Sequence, residues 1–66
     1  MPIVRIEMWA GRPVEFRTSL AREITDVMVR TIGCEPGAVT VLVEEIPKEN
    51  WIIGGKPCTD LFKGVA

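Results

Sequence analysis

The chain has 66 residues, with eight Lys and Arg against nine Asp and Glu, and a net charge of −1. A chain of this length forms one small domain, 1–66, whose own core is only marginally stable. The charge balance provides no basic stripe to neutralise phosphates, which argues against nucleic-acid binding. No apolar run reaches the roughly eighteen residues that a membrane span requires, so we expect no membrane-spanning segment.

Cysteine and histidine content limits the chemistry further. Cys34 and Cys58 lack the spacing of a metal site and the chain has no histidine, so we expect no zinc. Nothing resembles a signal peptide, so we expect the reducing cytoplasm. By elimination, partner subunits are the expected source of additional stability.

The first half of the chain predicts a strand followed by a long helix. Residues 3–9 alternate with a period of two, which predicts a strand with one buried face. From Pro13 to Ile32 the period becomes helical, and Gly33 is well placed to end the helix. The expected core-facing stripe of the helix consists of Phe16, Leu20, Ala21, Ile24, Val27, Met28, Thr31 and Ile32.

The second half predicts a second strand and a short hairpin. Residues 38–46 are nearly all apolar or β-branched, which is typical of a strand covered on both sides. Strand, helix and strand form a β-α-β unit whose two strands run parallel through a right-handed crossover. Residues 51–53 and the glycines after them predict a β-hairpin, and residues 59–66 a short helical turn or a loose tail. The fold class is therefore α/β, and so small a sheet is expected to oligomerise into larger sheets.

Pro2 is the first candidate functional residue. Removal of Met1 would leave its secondary amine at the start of a structured strand. An α-amino group has a pKa near 8, and burial or a nearby cation lowers that pKa towards the neutral range that suits a general base. On its own the Met-Pro start is weak evidence, because about one residue in twenty is proline.

Arg12 and Trp51 are the other two candidates. Arg12 stands beside the helix start, where the dipole disfavours a cation and where Ser, Thr, Asp or Asn usually caps. A cation beside backbone N–H groups suits an anion such as a substrate carboxylate. The alternative is that Arg12 extends into solvent or pairs with an acidic surface residue. Trp51 either covers an interface or excludes water from the amine.

The order of four short motifs resembles the 4-oxalocrotonate tautomerase family over most of the chain. They are Pro2 after Met1, Gly11-Arg12 ahead of the helix, Val39-x-Val41 in the second strand, and Trp51-x-x-Gly54-Gly55. The resemblance implies β-α-β subunits that pair into dimers, three of which assemble into a hexamer with sites shared between subunits. It also implies keto–enol tautomerisation of 2-hydroxydienoate-type substrates without metal or cofactor.

The resemblance also implies a role for each candidate residue. Pro2 would be the general base, Arg12 would bind a substrate carboxylate, and Trp51 would be an aromatic wall where relatives commonly have Phe. Relatives carry an arginine between the two valines, where it polarises the carbonyl oxygen of the substrate. This chain has Thr40 at that position, so Thr40 would contact the substrate there. Three explanations remain open: a different substrate, low activity, or compensation by another cation such as Arg5, Lys48 or Lys56.

We therefore predict a tautomerase for small carboxylated enols such as 2-hydroxymuconate, of the kind met in aromatic degradation. One alternative is hydration or dehalogenation of short unsaturated acids, which needs an additional carboxylate, with Glu7 and Glu49 as candidates. The other is a non-catalytic oligomeric subunit, which Thr40 or a retained Met1 would favour. The sequence specifies neither the physiological substrate nor whether the oligomer contains one kind of chain.

Overall fold

A computed structural model describes residues 1–61 and has the predicted α/β fold. Its elements are β1 (Ile3–Trp9), α1 (Val14–Ile32), β2 (Thr40–Ile46), β3 (Ile52–Ile53), β4 (Lys56–Pro57) and α2 (Cys58–Leu61). Short 3-10 turns at Pro36–Ala38 and Lys48–Asn50 connect them. The β-α-β unit and the hairpin are confirmed; of the predicted tail, residues 59–61 belong to α2, and 62–66 lie outside the described residues.

The central pairing is that of β1 with β2, which run parallel as predicted. The register runs without interruption from Ile3 opposite Thr40 to Trp9 opposite Ile46. Backbone hydrogen bonds continue it at both ends: the Thr40 N–H donates to the Pro2 carbonyl at 3.0 Å, and the Ala10 N–H to the Ile46 carbonyl at 3.0 Å. The two strands therefore begin side by side and end side by side.

The limits of the second strand differ from the prediction. We expected 38–46, but Ala38 belongs to a 3-10 turn, because Pro36 and Gly37 tighten the chain before the strand begins. Burial along β2 alternates, and Leu42 keeps 43% of its surface exposed. The expected cover on both sides is therefore wrong for a single chain, since one helix covers only one face of the sheet.

Helix α1 begins and ends close to the predicted residues. Pro13 is the N-cap residue in an extended conformation, without a side-chain cap, and Gly33 ends the helix with its N–H donating to the Val29 carbonyl at 2.9 Å. The predicted core-facing stripe is only half correct. Half-buried positions follow a spacing of three and four along one face: Leu20, Ala21, Ile24, Thr25, Met28 and Val29.

The rest of the predicted stripe lies in solvent, which corrects the sequence analysis. Phe16, Val27 and Ile32 are 39%, 47% and 57% exposed. The apolar band of α1 is wider than two strands can cover, so its periodicity alone does not identify which part meets the sheet. Among the described residues only Cys58 is fully buried, which leaves one chain with a thin core.

The hairpin closes the described part of the chain. Ile52 pairs with Pro57 and Ile53 with Lys56 in antiparallel register. Gly54 and Gly55 form the turn with φ of 59° and 80°, a left-handed conformation that favours glycine at both positions of a tight hairpin. No helix among residues 1–61 is long and apolar enough to cross a membrane.

An ion pair joins the helix to the sheet. Arg17 of α1 donates to Oε1 of Glu45 on β2, and both side chains are about one quarter exposed. The second oxygen, Oε2, is buried and has no hydrogen-bond partner among the described residues. The Glu45 carboxylate therefore depends on Arg17 for compensation of its charge.

Replacing Arg17 with Met should destabilise the fold, because a half-buried carboxylate would lose its cation. We expect the free energy of unfolding to fall by about 1–3 kcal/mol, measured by urea denaturation at fixed protein concentration. Arg22→Met on the exposed side of α1 is the matched control and should change it by less than about 0.5 kcal/mol. An Arg17→Met protein as stable as the control would contradict this role for the ion pair.

Candidate active site

Strand β1 separates the two residues predicted to be catalytic. Pro2 precedes the strand and Arg12 follows it, and seven strand residues at about 3.3 Å each place their backbones roughly 20 Å apart or more. Pro2 is half-buried beside Thr40, whereas Met1 before it is 95% exposed. One chain thus brings Pro2 together with Thr40 and holds Arg12 at the opposite end of the sheet.

A small cleft opens at the Arg12 end, with a volume of about 250 Å³. It forms where β1 and β2 end side by side, so that the residues leaving one strand face those leaving the other. None of the residues that line it is acidic. The lining residues are Trp9, Ala10, Gly11, Arg12, Pro13 and Lys48.

Aromatic rings lie beneath both cations of the cleft. The guanidinium carbon of Arg12 lies 4.7 Å from the centroid of the Phe16 ring, one turn into α1. Lys48 Nζ lies 5.0 Å from the centroid of the Trp9 ring. A ring face attracts a cation, so each ring helps to orient the cationic side chain that lies over it.

Trp51 contributes to this end of the molecule through its contact with Trp9. Its ring meets that of Trp9 edge-on, with centroids 6.3 Å apart and planes at 84°. Its carbonyl accepts a hydrogen bond of 2.8 Å from the N–H of buried Cys58, which ties the hairpin region to it. Trp51 thus supports Trp9, which lines the cleft, and is not itself a lining residue.

The four predicted site residues therefore form two groups within one chain. Pro2 and Thr40 lie at the start of the sheet, and Arg12 and Trp51 at its end. Sequence reasoning missed Trp9 and gave Lys48 only as one of three candidate cations. Of the other two, Arg5 is exposed on β1 and Lys56 is exposed on β4, and neither lines the cleft. Across residues 1–61 no three His, Cys, Asp or Glu side chains are grouped to hold a metal ion.

The arrangement offers two kinds of chemistry. At one end is a chain start where a secondary amine would follow Met1 removal; at the other is a cationic cleft suited to an anion. The model of the tautomerase enzyme family matches residues 2–61, from Pro2 to the last described residue. The chain belongs to the tautomerase family. The predicted resemblance is confirmed.

Individual relatives agree with this assignment. The 2-hydroxymuconate tautomerase of Pseudomonas putida is 34% identical over 61 residues, which cover 92% of this chain and 97% of the relative. TomN, a 4-oxalocrotonate tautomerase homologue of the tomaymycin biosynthetic pathway, is 32% identical with a TM-score of 0.85, over 89% of this chain and 91% of TomN. A heterohexameric 4-oxalocrotonate tautomerase from Chloroflexus aurantiacus is 28% identical with a TM-score of 0.84, over 92% and 98% of the two chains.

The edge-on contact between the two tryptophans yields a prediction. Trp51→Ala should expose the Trp9 ring, shift its fluorescence emission to longer wavelength and lower the free energy of unfolding by about 1 kcal/mol or more. Trp9 is then the sole tryptophan, so the emission reports on it alone. Trp51→Phe, which keeps an aromatic ring, is the control and should retain the shorter wavelength. Identical Trp9 emission in Trp51→Ala and Trp51→Phe would show that the Trp51 ring does not shield Trp9 from solvent.

Proposed function

We propose that this tautomerase interconverts the enol and keto forms of small carboxylated dienols such as 2-hydroxymuconate, without metal or cofactor. Pro2 is the general base once Met1 has been removed. Its nitrogen takes the proton of the enol hydroxyl, the electrons move along the conjugated chain, and the protonated nitrogen returns a proton to carbon to give the ketone. Arg12 binds a substrate carboxylate and holds the dienol in place.

The observation that carries this proposal is the cationic cleft at Arg12, in a chain whose family match begins at Pro2. A carboxylate entering the cleft would meet the Arg12 side chain, and none of the lining residues is acidic. The hydration alternative needs a carboxylate to activate water, and neither candidate, Glu7 or Glu49, lines the cleft of one chain.

The proposal requires subunits to share each site. A six-carbon substrate is much shorter than the distance of roughly 20 Å that separates Pro2 from Arg12 along β1. The Pro2 of one chain must therefore meet the Arg12 of another. We propose a homohexamer built as a trimer of dimers, in which exposed side chains of the sheet and α1, including Ile3, Leu42 and Val27, become buried.

Thr40 has a specific place in this proposal. It lies beside Pro2 and is exposed in a single chain, so its hydroxyl would offer the substrate one neutral hydrogen bond. A neutral donor stabilises the charge that develops on oxygen less than a guanidinium does. We expect turnover to be slower than in relatives with arginine at this position.

Replacing Pro2 with Ala tests the proposed base. We expect kcat/KM for ketonisation of 2-hydroxymuconate to fall by about 100-fold or more while the oligomer persists, because a positioned base supplies roughly that factor. The assay follows the loss of dienol absorbance. Pro36→Ala, in the exposed 3-10 turn, is the matched control and should retain wild-type turnover. Full activity in the Pro2→Ala protein would reject the mechanism.

Mixing two inactive variants tests whether sites are shared. Pro2→Ala and Arg12→Gln proteins, unfolded together in equal amounts and refolded, should regain about one quarter of wild-type activity. Each shared site then has one chance in two of an intact Pro2 and, independently, of an intact Arg12. Separately refolded variants mixed afterwards without exchange are the control. Failure of co-refolded oligomers to regain activity would place both residues of a site on the same chain.

A further inference from the structure

The main chain is conformationally restricted on both sides of Arg12. Gly11 before it has a φ of 116°, which L side chains rarely adopt, and Pro13 after it is extended, with a φ of −64° and a ψ of 155°. A residue that precedes proline is itself biased towards extended conformations. The backbone of Arg12 is therefore confined, and the direction of its long side chain is what remains to be fixed.

The ring of Phe16 contacts that side chain. In the first turn of α1 the Phe16 N–H donates to the Pro13 carbonyl at 3.1 Å, so the chain folds back towards the residue before Pro13. The guanidinium carbon of Arg12 then lies 4.7 Å from the centroid of the ring. No carboxylate of residues 1–61 forms an ion pair with Arg12, so the ring provides the contact that orients the guanidinium.

The exposure of Phe16 agrees with a function outside the core of its own chain. The ring was predicted to face the sheet, yet 39% of the residue is exposed. A ring that stays in solvent gains little from burial, but its face attracts a cation. Arg12 lines the cleft and Phe16 does not. Within one chain, the link from Phe16 to the cleft therefore runs through Arg12.

We infer that Phe16 is a positioning residue that holds the Arg12 guanidinium ready for a substrate carboxylate. An arginine side chain has several rotatable bonds, and immobilising it when a ligand binds lowers affinity. A ring that restricts the guanidinium before the ligand arrives reduces that loss. It also offsets the positive end of the α1 dipole, which disfavours a cation beside the helix start. The inference rests on the proposed carboxylate site at Arg12.

The contact is testable in solution without a ligand. An aromatic ring moves the NMR signals of protons over its face upfield. The δ-methylene signals of Arg12, assigned by their loss in Arg12→Gln, should lie upfield in the wild type relative to Phe16→Leu. Phe16→Tyr keeps the ring face and should retain the upfield position. Identical Arg12 signals in the wild type and in Phe16→Leu would overturn the inference.

Fluorination of the ring tests what the contact does for binding. Hexanoate, an unreactive acid, is titrated into the assembled protein with no, one, two or three fluorines on the Phe16 ring. Its dissociation constant is read from the indole N–H signal of Trp9 by NMR. Fluorine withdraws electron density from the ring face and changes ring size little, so it weakens the attraction for a cation and preserves packing. The constant should rise with each fluorine, to about two- to fivefold with three, as expected for an exposed cation–π contact. Phe16→Tyr should stay within about twofold of the wild type.

The Arg12→Gln protein is the matched control, because it lacks the cation that the ring orients. In it, fluorination should leave hexanoate binding unchanged. Neutral hexanamide should bind the unsubstituted and fluorinated proteins equally. A fluorine effect that persists in Arg12→Gln or extends to the amide would overturn the inference, as would a constant dissociation constant for hexanoate or the absence of hexanoate binding in the wild type. Tighter hexanoate binding on fluorination would also overturn it, since the ring would then draw Arg12 away from the ligand.

Turnover distinguishes this inference from the proposed function. The KM for 2-hydroxymuconate should rise with fluorination while kcat stays within about twofold, because the carboxylate is bound in both the ground state and the transition state. A lower kcat at unchanged KM would contradict the positioning role. Turnover that depends on Pro2, with a KM insensitive to fluorine, would overturn the inference and leave the proposed function standing. Hexanoate binding that depends on fluorine and on Arg12, in a protein that turns over no dienol, would refute the proposed function while supporting the role of Phe16.

Discussion

The parallel pairing of β1 with β2 determines where every candidate residue lies. Seven consecutive residue pairs, from Ile3 with Thr40 to Trp9 with Ile46, keep the strands in one register. At the start of the sheet this register joins the Pro2 carbonyl to the Thr40 amide. At its end it aligns the segment that carries Arg12 with the turn that carries Lys48. A shift of one residue would turn the half-buried side chains of one strand to the opposite face.

The same geometry explains why the fold and the proposed function both need more than one subunit. A two-stranded sheet with one helix covers only one face, and Cys58 alone is fully buried among residues 1–61. The apolar residues left exposed on the sheet, on α1 and on the hairpin are surface that a single chain cannot cover. In the proposed assembly, burial of this surface stabilises the subunits and also carries Pro2 of one chain to the Arg12 cleft of another.

Local patterns in the sequence predicted the helix, the strands and the hairpin, although β2 begins at Thr40, two residues later than expected. The period of two gave β1, the helical period between Pro13 and Gly33 gave α1, and two successive glycines gave the hairpin turn. Half of the residues predicted to face the core on α1 are exposed, because the apolar band of the helix is wider than its own two-stranded sheet can cover. Which of the apolar side chains of α1 become buried also depends on partner subunits, and the sequence of one chain does not show their arrangement.

The site was predictable only in its separate parts. Pro2, Arg12 and Trp51 were candidates from the residues themselves, and the family resemblance added Thr40 and a role for each. Their division between the two ends of the sheet follows from register and strand length. Trp9 was missed because it reads simply as the last residue of a strand. The place of Lys48 in the cleft became visible only when the ends of β1 and β2 were seen to meet.

Sharing of each site between chains is the central claim, and sedimentation of the enzyme during turnover tests it most directly. A thin layer of protein is centrifuged through 2-hydroxymuconate, and the position of dienol loss is followed by absorbance. The account predicts that turnover travels with a species about six times the 7.3 kDa mass of one chain. Turnover that travels with a species of 7.3 kDa would contradict it, because one chain holds Pro2 and Arg12 at opposite ends of its sheet.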